Sequence, residues 1–479
     1  MPDEIALLSA KDLIARYRDG SLSPLEATRA ALARIEAHNP KLNAFILVDT
    51  DGALAEARTS EERWRIGAPR GRLDGVPMSI KDILLTKGWP TLRGSKATPR
   101  DQPWDEDAPA VARLREHGAV LLGKTTTPEF GWKGVTDSAL SGITRNPWNP
   151  ERTPGGSSGG AAVAVATGMG ALALGTDGGG SVRIPAAFTG IFGLKPTFGR
   201  VPAYPPSAFG TLSHVGPMTR TVTDAAILLG VISEPDTRDW YALPPQGAGK
   251  SMDYTAGLNR GVKGLRIAFS PTLGGHPVDP EIATLVAAAA NRFANLGAHV
   301  EEVDPGLPDC AEPFRKHWYA GAAALLNTFS DKQKAVIEPG LLDIAAEGAT
   351  YTLFDFFAAV KQREAIGIAM NRFHETYHLL LTPSQPLPAF EAGLERPRGN
   401  NQDRWVDWTP FTYPFNLTRQ PAASVPCGLT SAGLPAGLQI VGPLYADALV
   451  LRAARAYEKV APFQMPTMGQ MPPLGGVAP

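Results

Sequence analysis

Cysteine is nearly missing from this chain, with only Cys310 and Cys427 in 479 residues. Two thiols cannot make a disulfide framework or a cysteine-rich zinc site, and they fit a reducing compartment. A surplus of basic charge is missing as well. With 46 Lys and Arg against 47 Asp and Glu the formal charge is −1, so the surface lacks the cationic excess that tracks a phosphate backbone, and nucleic acid is not expected as a partner. The opening residues Met1-Pro2-Asp3-Glu4 show neither the basic nor the apolar segment of a secretion signal, and a cytoplasmic location is expected. Long apolar runs are scarce too. The uncharged stretch from Thr153 to Thr176 carries seven Gly, two Ser and three Thr in 24 residues. A close-packed buried helix suits that composition better than lipid, so no membrane partner is expected.

What the chain has in excess is glycine and proline, 50 and 44 residues, about a fifth of the total against an ordinary usage of about 12%. Many tight turns follow, while 43% apolar residues still suffice for a large core. The glycine is clumped. Residues 155–180 hold ten of the fifty, where even spreading would put about three.

Patterning along the chain predicts alternating strands and helices. Leu7 to Asn39 reads as two amphipathic helices, the first capped by Ser9 and the second opened by Ser23-Pro24-Leu25-Glu26. Strands are expected at Phe45–Val48, Val76–Ile80, Val120–Leu122, Leu265–Phe269, His299–Val303, Leu379–Leu381 and Ala423–Val425. Helices are expected at Ala108–His117, Ile282–Leu296, Leu353–Tyr377 and Ala446–Val460. Such alternation implies an α/β sheet with covered faces. Loops are read at Pro244 to Gly261 and Leu387 to Asn401, and an extended tail from Pro462.

Three spellings of known motifs fail on context. Gly118 to Thr125 matches a nucleotide P-loop, but its four central residues, Ala119, Val120, Leu121 and Leu122, suit a buried strand and not an open phosphate cradle. His374 and His378 flank Glu375 like a zinc-protease pair, yet no histidine follows them to complete a ligand set, and solvated or capping imidazoles are expected. Gly155-Gly156-Ser157-Ser158-Gly159 matches the nucleophile elbow of α/β-hydrolases. That elbow must follow a strand, which Asn146-Pro147-Trp148-Asn149-Pro150 cannot form.

Serine chemistry survives in a different arrangement. Two clusters, Gly155-Gly156-Ser157-Ser158-Gly159-Gly160 and Gly175-Thr176-Asp177-Gly178-Gly179-Gly180-Ser181, flank the small and apolar segment Ala161 to Leu174, read as a buried helix and turn that bring them together. The glycines before Ser181 let the backbone fold tightly and turn amides toward an oxyanion, which makes Ser181 the natural nucleophile. Its base is open between a histidine, with His214 nearest in sequence, and a lysine kept neutral by burial.

Together with Gly190-Ile191-Phe192-Gly193-Leu194-Lys195-Pro196-Thr197, these clusters resemble the signature block of the amidase signature family. Gly75-Val76-Pro77 with Lys81-Asp82, Gly123-Lys124-Thr125, Pro128-Glu129-Phe130, Gly216 to Arg220 and Leu438 to Gly442 extend the likeness from about Leu7 to Val460. The resemblance implies a Ser-Ser-Lys triad in which neutral Lys81 takes a proton from Ser157, and Ser157 relays one from Ser181. It implies an oxyanion hole from the amides of Gly178, Gly179, Gly180 and Ser181, with Ser158, Thr176, Asp177 and Arg183 as supports. It also implies the family's α/β fold, a central mixed β-sheet covered by helices on both faces (an α/β/α sandwich), in a single domain. Residues 1–60 form a helical cover, 65–240 the signature core, 241–461 the remaining sheet, helices and pocket segments, and 462–479 a Pro/Gly-rich tail.

Four positions depart from the family pattern: Gly178 where a larger residue is common, Arg419 where glycine is usual, and Thr126-Thr127 for Asn-Met. Gly178 is expected to loosen the hole or widen the acyl pocket, and Arg419 to cap or line the site. Candidate pocket residues are Phe130, Trp132, Trp318, Tyr319 and Arg419, with Trp104 and Phe354 to Phe357. The expected activity is a hydrolase of aryl or alkyl amides, with carbamates (urethanes) and esters open to the same chemistry. No cofactor or metal is called for, the partners are a small-molecule amide or carbamate and water, and a homodimer stays open. Two rivals stand beside it: the glutaminase subunit of a tRNA-dependent amidotransferase, and a non-catalytic binder on an enzyme fold.

Overall fold

The computed structural model describes residues 2–244, 252–399 and 402–468. Residues 245–251 of the first expected loop, 400 and 401 of the second, and 469–479 of the tail lie outside these. Thirteen strands are present among the described residues: β1 Phe45–Val48, β2 Pro77–Lys81, β3 Val120–Thr125, β4 Asp137–Ser138, β5 Gly142–Ile143, β6 Leu172–Asp177, β7 Phe192–Lys195, β8 His214–Thr219, β9 Arg266–Phe269, β10 His299–Glu302, β11 Leu379–Pro383, β12 Ala422–Leu429 and β13 Pro435–Val441. All but the β4–β5 hairpin join one eleven-stranded sheet in the order β1-β3-β2-β6-β8-β7-β12-β13-β11-β9-β10. The β3-β2-β6 and β11-β9-β10 runs are parallel, and the other pairs are antiparallel. The fold is therefore the expected α/β architecture with a mixed sheet.

Local chemistry fixes the N-terminal helices as read. Ser9 accepts from the Asp12 amide to cap Ala10–Asp19, and Ser23 with Glu26 forms a capping box at Pro24–Leu42. The second helix runs through Pro40 to an Asn43 cap with φ 52°, past the expected end.

The centre of the sheet differs from expectation. The segment from Ala161 to Leu174 is not a helix and turn alone: the helix spans Gly159–Ala166, and the chain then returns as strand β6. Strands β7, β8 and β13 are further additions to the expected set. They are buried on both faces, so they lack the alternation that marks a half-exposed strand. The rejected P-loop spelling falls in β3, whose six residues are all buried. The helix from Leu353 stops at Phe373, so His374 and His378 share no helical turn. His374 Nδ1 lies 2.9 Å from the Tyr377 carbonyl, and His378 Nδ1 accepts from the Arg266 amide at 3.0 Å. Both imidazoles serve the backbone.

Candidate active site

Lys81 is the last residue of β2, and Thr176 lies near the end of the parallel neighbour β6. Lys81 is fully buried, and its Nζ contacts three hydroxyls: Ser157 Oγ at 2.7 Å, Thr176 Oγ1 at 2.8 Å and Ser158 Oγ at 2.9 Å. Ser158 donates its own proton to the Thr176 carbonyl at 3.1 Å and accepts from the Thr176 amide at 3.2 Å. It can therefore only receive a hydrogen bond from Lys81, and the amine lone pair is left for Ser157 or Thr176. Burial pushes the Lys81 pKa well below the usual lysine value, and the opposing pull of the Asp177 charge does not restore it.

The two serine clusters meet as expected. The Ser158 amide donates to the Ser181 carbonyl at 3.2 Å, with Ser157 and Ser158 at the start of the helix Gly159–Ala166 and Ser181 just before the helix Arg183–Thr189. Gly156-Ser157 is a cis peptide bond. His214 stands elsewhere: its Nε2 is 3.3 Å from Lys195 Nζ, and its Nδ1 faces the Leu212 carbonyl at 2.9 Å and the Asp177 carbonyl at 3.2 Å. Of the two open choices of base, the lysine is the one in contact with Ser157.

Below the glycine loop lies a buried ion pair. Arg183 Nε donates to Asp177 Oδ2 at 3.0 Å and Nη2 to Oδ1 at 2.9 Å, a bidentate fork with no solvent access to either side chain. The remaining guanidinium hydrogens go to Gln439 Oε1, Asn416 Oδ1 and the Thr412 carbonyl, all within 2.8 Å. Burial alone would raise the Asp177 carboxyl, but the Arg183 charge and its hydrogen bonds outweigh that and hold it well below the ordinary carboxylate range.

This carboxylate changes the expected oxyanion hole. The Gly180 amide donates to Asp177 Oδ1 at 2.8 Å, and the Val182 amide to Oδ2 at 3.1 Å. Gly180 N–H is thus committed to the Asp177 carboxylate, which leaves Gly178, Gly179 and Ser181 of the four expected donors. Neighbouring carbonyls are pinned as well, since Asn416 Nδ2 donates to the Asp177 carbonyl at 3.0 Å and the Ile184 amide to that of Gly180 at 2.7 Å. A planar trans peptide points its N–H opposite its C=O. Fixing these two carbonyls therefore fixes the amides of Gly178 and Ser181.

Gly178 does not open extra room, contrary to expectation. A Cβ there would stand 2.8 Å from Trp318 Cζ3, so the indole already fills the space. Gly180, at φ +128°, is pressed by the Thr412 side chain, which in turn donates to the Gly179 carbonyl at 2.8 Å. Thr126, the other departure, is buried, pairs with Thr144 Oγ1 at 2.7 Å and braces Gly160.

A cavity of about 450 Å³ opens beside Thr176, lined in part by Ile83, Arg93, Phe130, Phe209, Phe329 and Gln333. Of the expected pocket residues only Phe130 lines it. Trp132 is buried with Nε1 on Glu338 Oε2 at 2.9 Å, Tyr319 is buried in the aromatic core, and Trp104 Nε1 donates to the Arg100 carbonyl. Trp318 stacks behind Phe209 at 3.6 Å, backing the wall without lining the cavity. Phe354 and Phe357 are 85% and 56% exposed. Arg419 and Phe356 border a separate cleft of about 650 Å³, where the Arg419 guanidinium lies 4.9 Å above the Phe198 ring. Aromatic size alone misled here, because large rings most often fill core.

This constellation and this sheet belong to a known class. A model of the Amidase family matches residues 26–451, and the chain is a member of the amidase signature family. A solved bacterial aryl acylamidase of that family superposes with a TM-score of 0.88 at 34% identity, over 95% of this chain and 96% of that one. An acylamidase of Rhodococcus erythropolis is 37% identical over 463 residues, covering 95% of this chain and 96% of its own. A glutamyl-tRNA(Gln) amidotransferase subunit from Myxococcus xanthus is 38% identical over 480 residues, covering 94% and 97%. Among the described residues, no helix is long and apolar enough to cross a membrane.

Proposed function

We propose that the protein is a cytoplasmic serine hydrolase of carboxamide C–N bonds, acting on aryl or alkyl amides, with carbamates and esters open to the same chemistry. The observation that carries this reading is Lys81: a buried amine, depressed in pKa, in contact with the hydroxyls of Ser157 and Thr176 and with its third hydroxyl neighbour, Ser158, unable to donate to it. In this reading the Ser181 hydroxyl attacks the carbonyl carbon as its proton passes to Ser157 Oγ and the Ser157 proton passes to Lys81. The tetrahedral oxyanion is held by the amides of Gly178, Gly179 and Ser181, each donor of this kind contributing ~10²–10³ in rate. The proton returns along the same path to the leaving amine, and water then hydrolyses the Ser181 ester by the reverse relay. The likeness to two acylamidases supports the substrate class.

The test is a panel of anilides, primary amides and carbamates offered to the wild type and to Ser181→Ala. A loss of about 10³-fold or more in kcat/KM, with fluorophosphonate mass added at Ser181 in the wild type, is expected. Undiminished turnover by the variant would overturn the reading. A second reading, glutaminase subunit of an amidotransferase, is favoured by the Myxococcus relative. It predicts glutamine turnover that appears only when partner subunits are supplied.

A further inference from the structure

The cavity beside Thr176 has one charged lining residue. Ile83, Phe130, Phe209, Leu325 and Phe329 give it apolar walls, Gln102 and Gln333 a polar margin, and Arg93 its only formal charge. Arg93 is half-buried, and among the described residues its guanidinium has no carboxylate within ion-pair distance and makes no side-chain hydrogen bond, the Asp82 charge acting on it only through space, whereas the buried Arg183 satisfies every arm. A partly desolvated guanidinium facing a cavity is a ready fork for a planar anion.

Its placement is built into the site. The carboxylate of Asp82, the residue after Lys81, accepts from the amides on either side, Leu92 at 3.2 Å and Gly94 at 3.5 Å. The Arg93 carbonyl accepts from the Phe130 amide at 2.7 Å, and a Cβ on the following Gly131 would lie 3.2 Å from Ser157 Oγ. Arg93 is therefore clamped between the segment that supplies the lysine and the segment that abuts Ser157. Its backbone sits at φ +55°, a left-handed conformation that suits glycine or asparagine better than arginine. A long cationic side chain held there against local preference calls for an explanation other than folding.

Resting on the hydrolase reading, we infer that Arg93 is a specificity-determining residue. It pairs with a carboxylate carried by the substrate, so that the preferred amides have an apolar body and one anionic end. Neutral amides remain substrates, but weaker ones. Nothing in the reaction changes: the carboxylate is bound, not consumed, and the pairing acts on KM.

Paired substrates test this. The wild type and the variants Arg93→Gly and Arg93→Lys receive glutaryl-p-nitroanilide and 4-acetamidobenzoate, with an anion on the acyl or on the amine side, each beside its methyl ester. The glycine variant removes the guanidinium and suits the backbone angle, so it should fold. In the wild type one of the two acids should exceed its ester in kcat/KM by about tenfold to a hundredfold, and which one locates the subsite. Arg93→Gly should abolish that preference through KM, the acid losing far more than its ester, and Arg93→Lys should restore part of it. Equal acid and ester rates in the wild type, or a preference that survives Arg93→Gly, would overturn the inference while leaving the hydrolase intact. Should no anilide, primary amide or carbamate be hydrolysed, the hydrolase reading fails instead. Benzoate binding by the wild type, weakened at least about tenfold in Arg93→Gly, then still reads Arg93 directly, and equal benzoate affinities would sink it.

Discussion

Lys81 and Arg183 are both buried basic residues close to the serine clusters, and the protein treats them in opposite ways. Arg183 is fully answered, with Asp177 pairing it bidentately and Gln439, Asn416 and the Thr412 carbonyl taking its other hydrogens. Lys81 is given only hydroxyls, and burial depresses its pKa. Fixed charge serves where a loop must be held in place, since a satisfied ion pair resists rearrangement. An amine without a counter-ion is what proton transfer needs, because a lysine that stays protonated cannot accept. The residue types differ accordingly. Arginine cannot give up its proton at working pH, while lysine loses it readily when desolvated.

Breaking the lysine side has the largest expected effect. Lys81→Met keeps the length and removes the proton acceptor, so amide kcat/KM should fall by about 10³-fold or more, while the fold persists by circular dichroism. In the wild type the acid limb of the kcat/KM profile should lie below the ordinary lysine pKa of about 10.4, because burial shifts Lys81 downward. An acid limb at the ordinary lysine value would contradict the contrast between the two cations.

The arginine side should break differently. Asp177→Asn leaves Arg183 buried with its fork half answered, and removing one partner of such a pair costs about 3–5 kcal/mol. Denaturant unfolding is the measurement. The carboxylate also holds the Gly180 and Val182 amides, so activity should fall together with stability, whereas Lys81→Met should lose activity alone. A variant Asp177→Asn that unfolds like the wild type would show that the cage is not structural.

This contrast also marks how far the sequence could be read. Lys81, Ser157, Ser158, Thr176, Asp177, Ser181 and Arg183 sit in dense local patterns, and the structure gathers them around two serine clusters. Their answering groups were not legible. Asn416 and Gln439 lie 233 and 256 residues from Arg183, and no local pattern links such positions. The commitment of Gly180 N–H to Asp177 was hidden for the same kind of reason, since it depends on a turn whose geometry three glycines leave open. Central strands β6, β7 and β8, buried on both faces, gave no alternation to read. Arg93 was overlooked because a lone arginine in a loop is ordinarily a solvated one.

The smallest expected effect sharpens the comparison through stability alone. A lysine whose folded pKa lies below its unfolded value binds fewer protons folded than unfolded between those two values. Unfolding free energy should therefore rise with pH across that window, from the depressed folded value of Lys81 up to the ordinary value of about 10.4, with a slope from this one group of at most about 1.4 kcal/mol per pH unit. Below the window both states are protonated, and the folded state carries the cost of a buried charge that Asp177 offsets only in part. Lys195 is also buried and shifted downward, so the wild type alone cannot assign the slope. The difference between the wild type and Lys81→Met can, since only the Lys81 contribution changes between them. The variant should be more stable at the acid end of the window and should lose part of the slope. Parallel curves across the window would mean that Lys81 titrates in the folded protein as it does in the unfolded chain, and the contrast with Arg183 would fail at its base.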